Sequence, residues 1–294
     1  MSERLQIALV GAGHMGKLHA CALGERDDAL LAAVCDVDPR AAREAAAVSG
    51  ARVVADVRDL PEEVDAAILA AATSAHRDLA LVLVGRRIAL LVEKPLAGTA
   101  AEAREIADAA RDAGAVVQVG HILRFDPVTR GIAGREIRPT AIQVVWRSQF
   151  TGRSTDVSVV MDLMIHGIDL VLDWVGEMPD EIKATGETVE GPHLDVVDAH
   201  LRFPGGCVAH LSTSRVSETA ERSIRITSDC EAINLDYAAR TVNGSPVKTE
   251  PDALRAQLAS FLAAVRGEQP VAVCADEGAR AVEVAERIGE AACR

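Results

Sequence analysis

The chain has 294 residues, 49% hydrophobic and 26% charged, and 31 basic against 44 acidic side chains give a formal net charge of −13. That size and composition suit a soluble globular protein of two ordinary domains. The acidic balance, the lack of a basic run and the sparse aromatics (four Phe, two Trp, one Tyr) weigh against a nucleic-acid, anionic-membrane or base-stacking surface.

Residues 5–10 are an apolar run that reads as a buried strand. It leads into Gly11-Ala12-Gly13-His14-Met15-Gly16, a G-x-G-x-x-G turn. Gly11 permits a tight turn, Gly13 lets the backbone approach a pyrophosphate, and Gly16 allows close helix–strand packing. A helix opening at Met15-Gly16-Lys17, just after His14, aims its unsatisfied N–H groups at phosphates. A second apolar run, 30–35, ends in Asp36, twenty residues after Gly16 and in register to accept hydrogen bonds from an adenosine ribose. The carboxylate favours NAD because it repels a 2′-phosphate. Arg40, four residues on, keeps NADP as an alternative.

Asp38-Pro39 opens a helix over 40–49, and strands follow at 52–54 and 64–70. Thr73, Ser74 and His76 begin the next helix, 88–92 is a strand ending in Glu93-Lys94-Pro95, and helix 99–113 precedes strand 116–120. Strands alternating with helices give a doubly wound parallel sheet, whose ligands sit beyond the carboxyl ends of the strands. That rule selects Thr73, Ser74, His76, Glu93, Lys94 and His121. Lys94, fixed between an acid and a proline, suits an ammonium held against the oxygen that changes oxidation state.

After a strand at 140–147 and a polar loop at 148–156, residues 157–172 read as a helix carrying Asp162, His166 and Asp169 at i, i+4 and i+7. On a regular helix these three share one face. Ionisable groups on an otherwise apolar helix are costly unless paired or functional. Alternating segments at 181–186, 198–203, 208–214, 223–227 and 232–236 predict a mostly antiparallel sheet. Helices 251–266 and 276–290 close the chain. His193, His200 and His210 show no ligand spacing, and the six cysteines form no C-x-x-C, so no metal site is expected.

Gly11-x-Gly13-x-x-Gly16, Asp36, Glu93-Lys94-Pro95, Arg124-Phe125-Asp126-Pro127 and the D-x-x-x-H-x-x-D helix together resemble the Gfo/Idh/MocA family of NAD(P)-dependent oxidoreductases. The resemblance implies an N-terminal Rossmann domain over 1–121 and, over 122–294, an α+β domain with a mostly antiparallel open sheet for substrate binding and oligomerisation. It implies Lys94, Asp162 and His166 as catalytic residues. His166 would take the alcohol proton as hydride leaves for the nicotinamide, Lys94 would steady the developing alkoxide, and Asp162 would orient His166 or the substrate. His121, Arg124, Arg147 and Arg153 are the further substrate candidates.

Val159-Val160 and Gly167 depart from the family's usual pattern around this helix, and the segment 156–172 is similar to a branch of nucleotide-sugar 3-dehydrogenases acting on substrates such as UDP-N-acetylglucosamine. The family also implies a homodimer or homotetramer formed through the sheet. No signal peptide and no apolar stretch near the ~20 residues of a membrane span point to a cytoplasmic protein. Two alternatives stay open: a reductase of an imine, enone or tetrapyrrole, and a dinucleotide sensor without turnover.

Overall fold

Six parallel strands build the first sheet: β1 Leu5–Val10, β2 Ala29–Cys35, β3 Arg52–Val54, β4 Ala66–Leu69, β5 Ala89–Glu93 and β6 Val117–Gly120. Their order is β3-β2-β1-β4-β5-β6, the dinucleotide-fold arrangement with its switch point between β1 and β4. The structure, a computed structural model, describes residues 4–47, 49–150, 152 and 157–293.

Between these strands run α1 His14–Gly24, α2 Pro39–Ala46, α3 Thr73–Gly85 and α4 Ala100–Ala113. Local chemistry sets their ends. Asp38 accepts from the Arg40 N–H with Pro39 in the first turn, and Thr99 and Glu102 close a capping box before α4. Gly114, at φ 60°, ends α4 in the left-handed conformation.

The chain does not divide at one point. One unit comprises residues up to His121 together with Leu254–Ala279, and the other comprises Ile122–Ala253 and the residues from Arg280 on. Residues 254–279 therefore leave the second domain, where the sequence placed everything after 121. Their helix, Ala253–Val265, inserts Leu258, Phe261 and Leu262 into the core around Ile7, Leu9 and Leu31. That apolar stripe shows that the helix is buried but not which sheet buries it.

The second unit opens with a short helix, α5 Pro127–Arg130. Its sheet contains β7 Pro139–Arg147, β8 Glu181–Glu187, β9 Val196–Arg202, β10 Val208–Ser214, β11 Glu221–Ser228, β12 Ala232–Asp236, β13 Thr241–Val242 and β14 Ser245–Pro246. The order is β14-β13-β12-β11-β7-β10-β9-β8, antiparallel except for the parallel β7–β10 pair. Alternation puts Ile142, Val144, Trp146, Leu211, Ile224 and Ile226 on the buried face. Gln143, His200, His210 and Arg225 occupy the other face, over a shallow depression of about 650 Å³.

Residues Val160–Met164 form a π-helical turn that leads into α6 Ile165–Val175, where the sequence predicts a regular helix from 157. α6 ends at Gly176, at φ 76°. Among the described residues no helix is long and apolar enough to cross a membrane.

Candidate active site

The first unit carries the turn after β1. Gly11 has φ +95°, and a Cβ there would stand 2.4 Å from the Ala71 nitrogen; at Gly16 it would stand 2.0 Å from the Gly11 oxygen. At Gly13 nothing lies within 4 Å, which leaves open space above the turn. No side chain caps α1, and its first turn holds no acid, so its N-terminal N–H groups suit an anion. His14 is exposed and Met15 half-buried beside them.

Asp36 braces this turn. Its Oδ2 accepts from the Ala12 N–H at 2.6 Å and its Oδ1 from the Asp38 N–H at 2.7 Å. A cavity of about 450 Å³ runs from Gly11 and Gly13 past Asp36 and Val37 to Ala71 and Leu79. An open cradle over glycines and a carboxylate at the adenosine end fit a dinucleotide. Arg40 points away from an added role: it pairs with Glu44 at 3.1 Å on the exposed face of α2.

Thr73, half-buried, and Ser74, exposed, stand at the start of α3 as expected. His76 does not offer a ring nitrogen to a ligand. It is buried, with Nδ1 3.0 Å from the Pro95 carbonyl and Nε2 3.0 Å from that of Ala71, so it ties together the loops after β4 and β5. Burial pushes its imidazole below the ordinary value, outweighing those carbonyls. His121, after the end of β6, shows no exposed surface.

Glu93 also turns inward. Its Oε1 lies 2.7 Å from His19 Nε2, and its Oε2 accepts from the Lys94 N–H at 3.3 Å, so its carboxylate serves protein groups and not the cofactor. Gly120 makes room for it, since a Cβ there would lie 3.0 Å from Oε2. Lys94 itself is half-buried where β5 ends.

The second unit carries the π turn and α6. Asp162 and His166 are half-buried, whereas Asp169 is buried and bound by Arg124 through two hydrogen bonds of 2.7 and 2.9 Å. Arg124 also pairs with Asp173 at 2.6 Å, so its guanidinium meets two carboxylates. Of the three ionisable groups on the helix, Asp169 is structural. The His166 ring lies over Trp146, with centroids 6.3 Å apart and planes inclined by 27°. Tyr237 packs on Trp146 as well, and Arg222 sits 5.5 Å from its ring centroid.

Gly167 has a packing reason: a Cβ there would meet Val144 Cγ1 at 2.7 Å, so glycine lets α6 settle on β7. Arg147 is exposed at the end of β7, 4.0 Å from Glu221. Arg153 lies outside the described residues. Sequence reasoning missed His19 and Trp146, neither of which stands in a motif. Only their contacts with Glu93 and His166 bring them to notice.

Residues 5–121 match the family model described as "Oxidoreductase family, NAD-binding Rossmann fold", and residues 135–232 match "GFO/IDH/MocA C-terminal domain". A UDP-N-acetylglucosamine 3-dehydrogenase of Acidithiobacillus ferrooxidans is 30% identical over 285 residues, 91% of this chain and 90% of that protein. Its solved structure superposes with a TM-score of 0.91 at 29% identity, covering 98% of this chain and 97% of the other. An inositol 2-dehydrogenase of Rubrobacter xylanophilus is 33% identical over 235 residues, 74% of this chain and 66% of that protein.

Proposed function

The chain belongs to the Gfo/Idh/MocA family of NAD-dependent sugar and polyol oxidoreductases, and from that premise we propose that it oxidises or reduces a nucleotide-linked sugar of the UDP-N-acetylglucosamine type. The observation that carries the substrate class is identity and fold taken together over nearly the whole of both chains: the nucleotide-sugar dehydrogenase is 30% identical over 91% of this chain and 90% of its own, and its structure superposes with a TM-score of 0.91.

NAD, when bound, supplies a nicotinamide C4 that accepts a hydride. His166 takes the hydroxyl proton as the carbon gives up that hydride, so the alcohol becomes a ketone and the proton rests on the imidazole. Lys94 donates a hydrogen bond to the same oxygen and steadies the charge that develops on it. Asp162 orients the imidazole or holds the neighbouring hydroxyl. Trp146 supports this assignment by limiting the rotation of His166. A dinucleotide sensor would need none of these three groups, which favours an enzyme.

A second copy of the chain would cover the open sheet face, where Lys183, His200, His210, Gln143 and Arg225 align across five strands. This supports a homodimer or homotetramer, tested by the mass of the species in solution. All six cysteines are free thiols, in keeping with a reducing cytoplasm.

The deciding experiment offers NAD with UDP-linked sugars, free sugars and inositols, and follows cofactor reduction. Turnover confined to the UDP-linked sugars is the expected outcome. Turnover of free inositol alone would replace the substrate reading.

A further inference from the structure

Two Arg–Asp pairs, one fully buried and one with its arginine half-buried, bracket the π turn that carries Asp162. At its far end Arg124 grips Asp169 on α6. Before its near end, Arg215 and Asp195 are both buried, the acid with no exposed surface. Arg215 Nε donates to Asp195 Oδ1 at 2.6 Å, and its backbone N–H donates to the Asp195 carbonyl at 3.0 Å. The other carboxylate oxygen accepts from the Val189 and Glu190 N–H groups at 2.7 and 2.8 Å.

The same guanidinium reaches the start of the site helix. Arg215 Nη1 donates to the Val157 carbonyl at 2.8 Å, and the Val159 N–H donates to the Leu194 carbonyl at 2.9 Å. Residues 157 and 159 are thus fastened to residues 194–195 and 215, immediately before the π turn begins at Val160. Locally, the Ser158 hydroxyl accepts from the Val160 N–H at 3.2 Å. A π turn is rarer and less favourable than an α turn, so it persists where its surroundings hold both ends. Relaxing it to an α turn would slip the register by one residue and swing Asp162 by about 100° relative to His166.

We propose that Arg215 and Asp195 are positioning residues, which hold the near end of the π turn and so set the direction of Asp162 against His166. This rests on the reading of Asp162 and His166 as catalytic.

Arg215→Lys separates positioning from stability. Lysine keeps the ion pair with Asp195, but it has no second donor arm for the Val157 carbonyl. The variant is expected to bind NADH normally, since the glycine turn belongs to the other unit. Its kcat with NAD and UDP-N-acetylglucosamine should fall by about 100-fold, the scale of an ångström's misplacement. Hydrogen exchange across residues 157–166 should quicken. Should Arg215→Lys not fold, Asp195→Asn is read in the same way.

Wild-type kcat in a variant with quickened exchange would overturn the positioning role, because the turn would then be loosened without effect. Normal turnover in Asp162→Asn would overturn both the proposal and the catalytic reading beneath it. If the wild-type chain is inactive on this sugar, only the substrate reading fails, and the exchange measurement decides: ordinary exchange over 157–166 in Arg215→Lys overturns the clamp.

Discussion

His19, on the helix that follows the glycine turn, lies with Nε2 2.7 Å from the Glu93 carboxylate, one residue before Lys94. The histidine has no exposed surface, and its Nδ1 has no partner among the described residues. An Nε2–H donating to an ionised carboxylate satisfies both observations, since Nδ1 is then left without a hydrogen to place. The pair joins the element that opens on the phosphates to the strand that ends at Lys94. His19→Leu would leave a buried carboxylate without its imidazole donor and is expected to cost about 1.5–3 kcal/mol of stability in urea unfolding. His19→Gln, whose amide N–H reaches nearly the same point, should recover most of that loss. Equal stability of the two variants would show that the hydrogen bond contributes little.

Lys94→Ala and His166→Ala are expected to bind NADH nearly as the wild type does and to lose turnover by about 100-fold or more. Fluorescence titration and steady-state rates separate the two effects. Unchanged turnover in either variant would sink the proton-transfer scheme.

Asp36 both braces the Ala12 N–H and faces the adenosine end of the cavity. Replacing it with Asn keeps a hydrogen-bond acceptor and removes the charge. The ratio of NADPH to NADH affinity should then rise by about tenfold, the value of a charge pair in a solvated site. An unmoved ratio would mean that another group selects the cofactor.

The glycine turn, Asp36 and the first sheet were legible because each rests on local rules: an apolar run, a spacing, a helix cap. The roles of neighbouring polar residues were not, because they depend on which partner lies across the fold. Glu93, His76, His121 and Arg124 all stand at ends of elements where ligands bind. Yet Glu93 meets His19, His76 meets two carbonyls, His121 is enclosed, and Arg124 meets Asp169 and Asp173. The i, i+4, i+7 spacing sets Asp162, His166 and Asp169 on one face of a regular helix and marks Asp169 as the structural member. The π turn between Val160 and Met164 is invisible to periodicity, and Arg124 ties Asp169 into an ion pair.

His76 makes stability depend on pH. Burial holds its imidazole below 6.5, while a neutral ring can donate from only one nitrogen to the two carbonyls beside it. An unfolded chain would bind a proton at about 6.5 that the folded chain resists. The contribution is therefore complete above that pH and is lost as pH falls below it. Urea midpoints measured from about pH 8 to pH 5 should decline on the acid side, and the decline should be shallower in His76→Gln. A steeper decline in the variant would reverse the sign and refute the assignment.

The three glycines of the turn separate fold from ligand. Alanine at Gly11 faces a positive φ and a 2.4 Å clash, and alanine at Gly16 meets the Gly11 oxygen at 2.0 Å, so both should destabilise the chain itself. Gly13 differs. Its φ of −69° is open to any residue, and no protein atom lies within 4 Å of an added Cβ. Gly13→Ala should therefore fold as well as the wild type, or gain about 0.4–1 kcal/mol from a less flexible unfolded chain. The methyl group would nevertheless fill the space through which a pyrophosphate approaches the backbone, and NADH affinity should drop by about tenfold or more. Thermal unfolding and NADH titration of the same sample read both effects. A Gly13→Ala protein that binds NADH as tightly as the wild type would remove the dinucleotide from this turn.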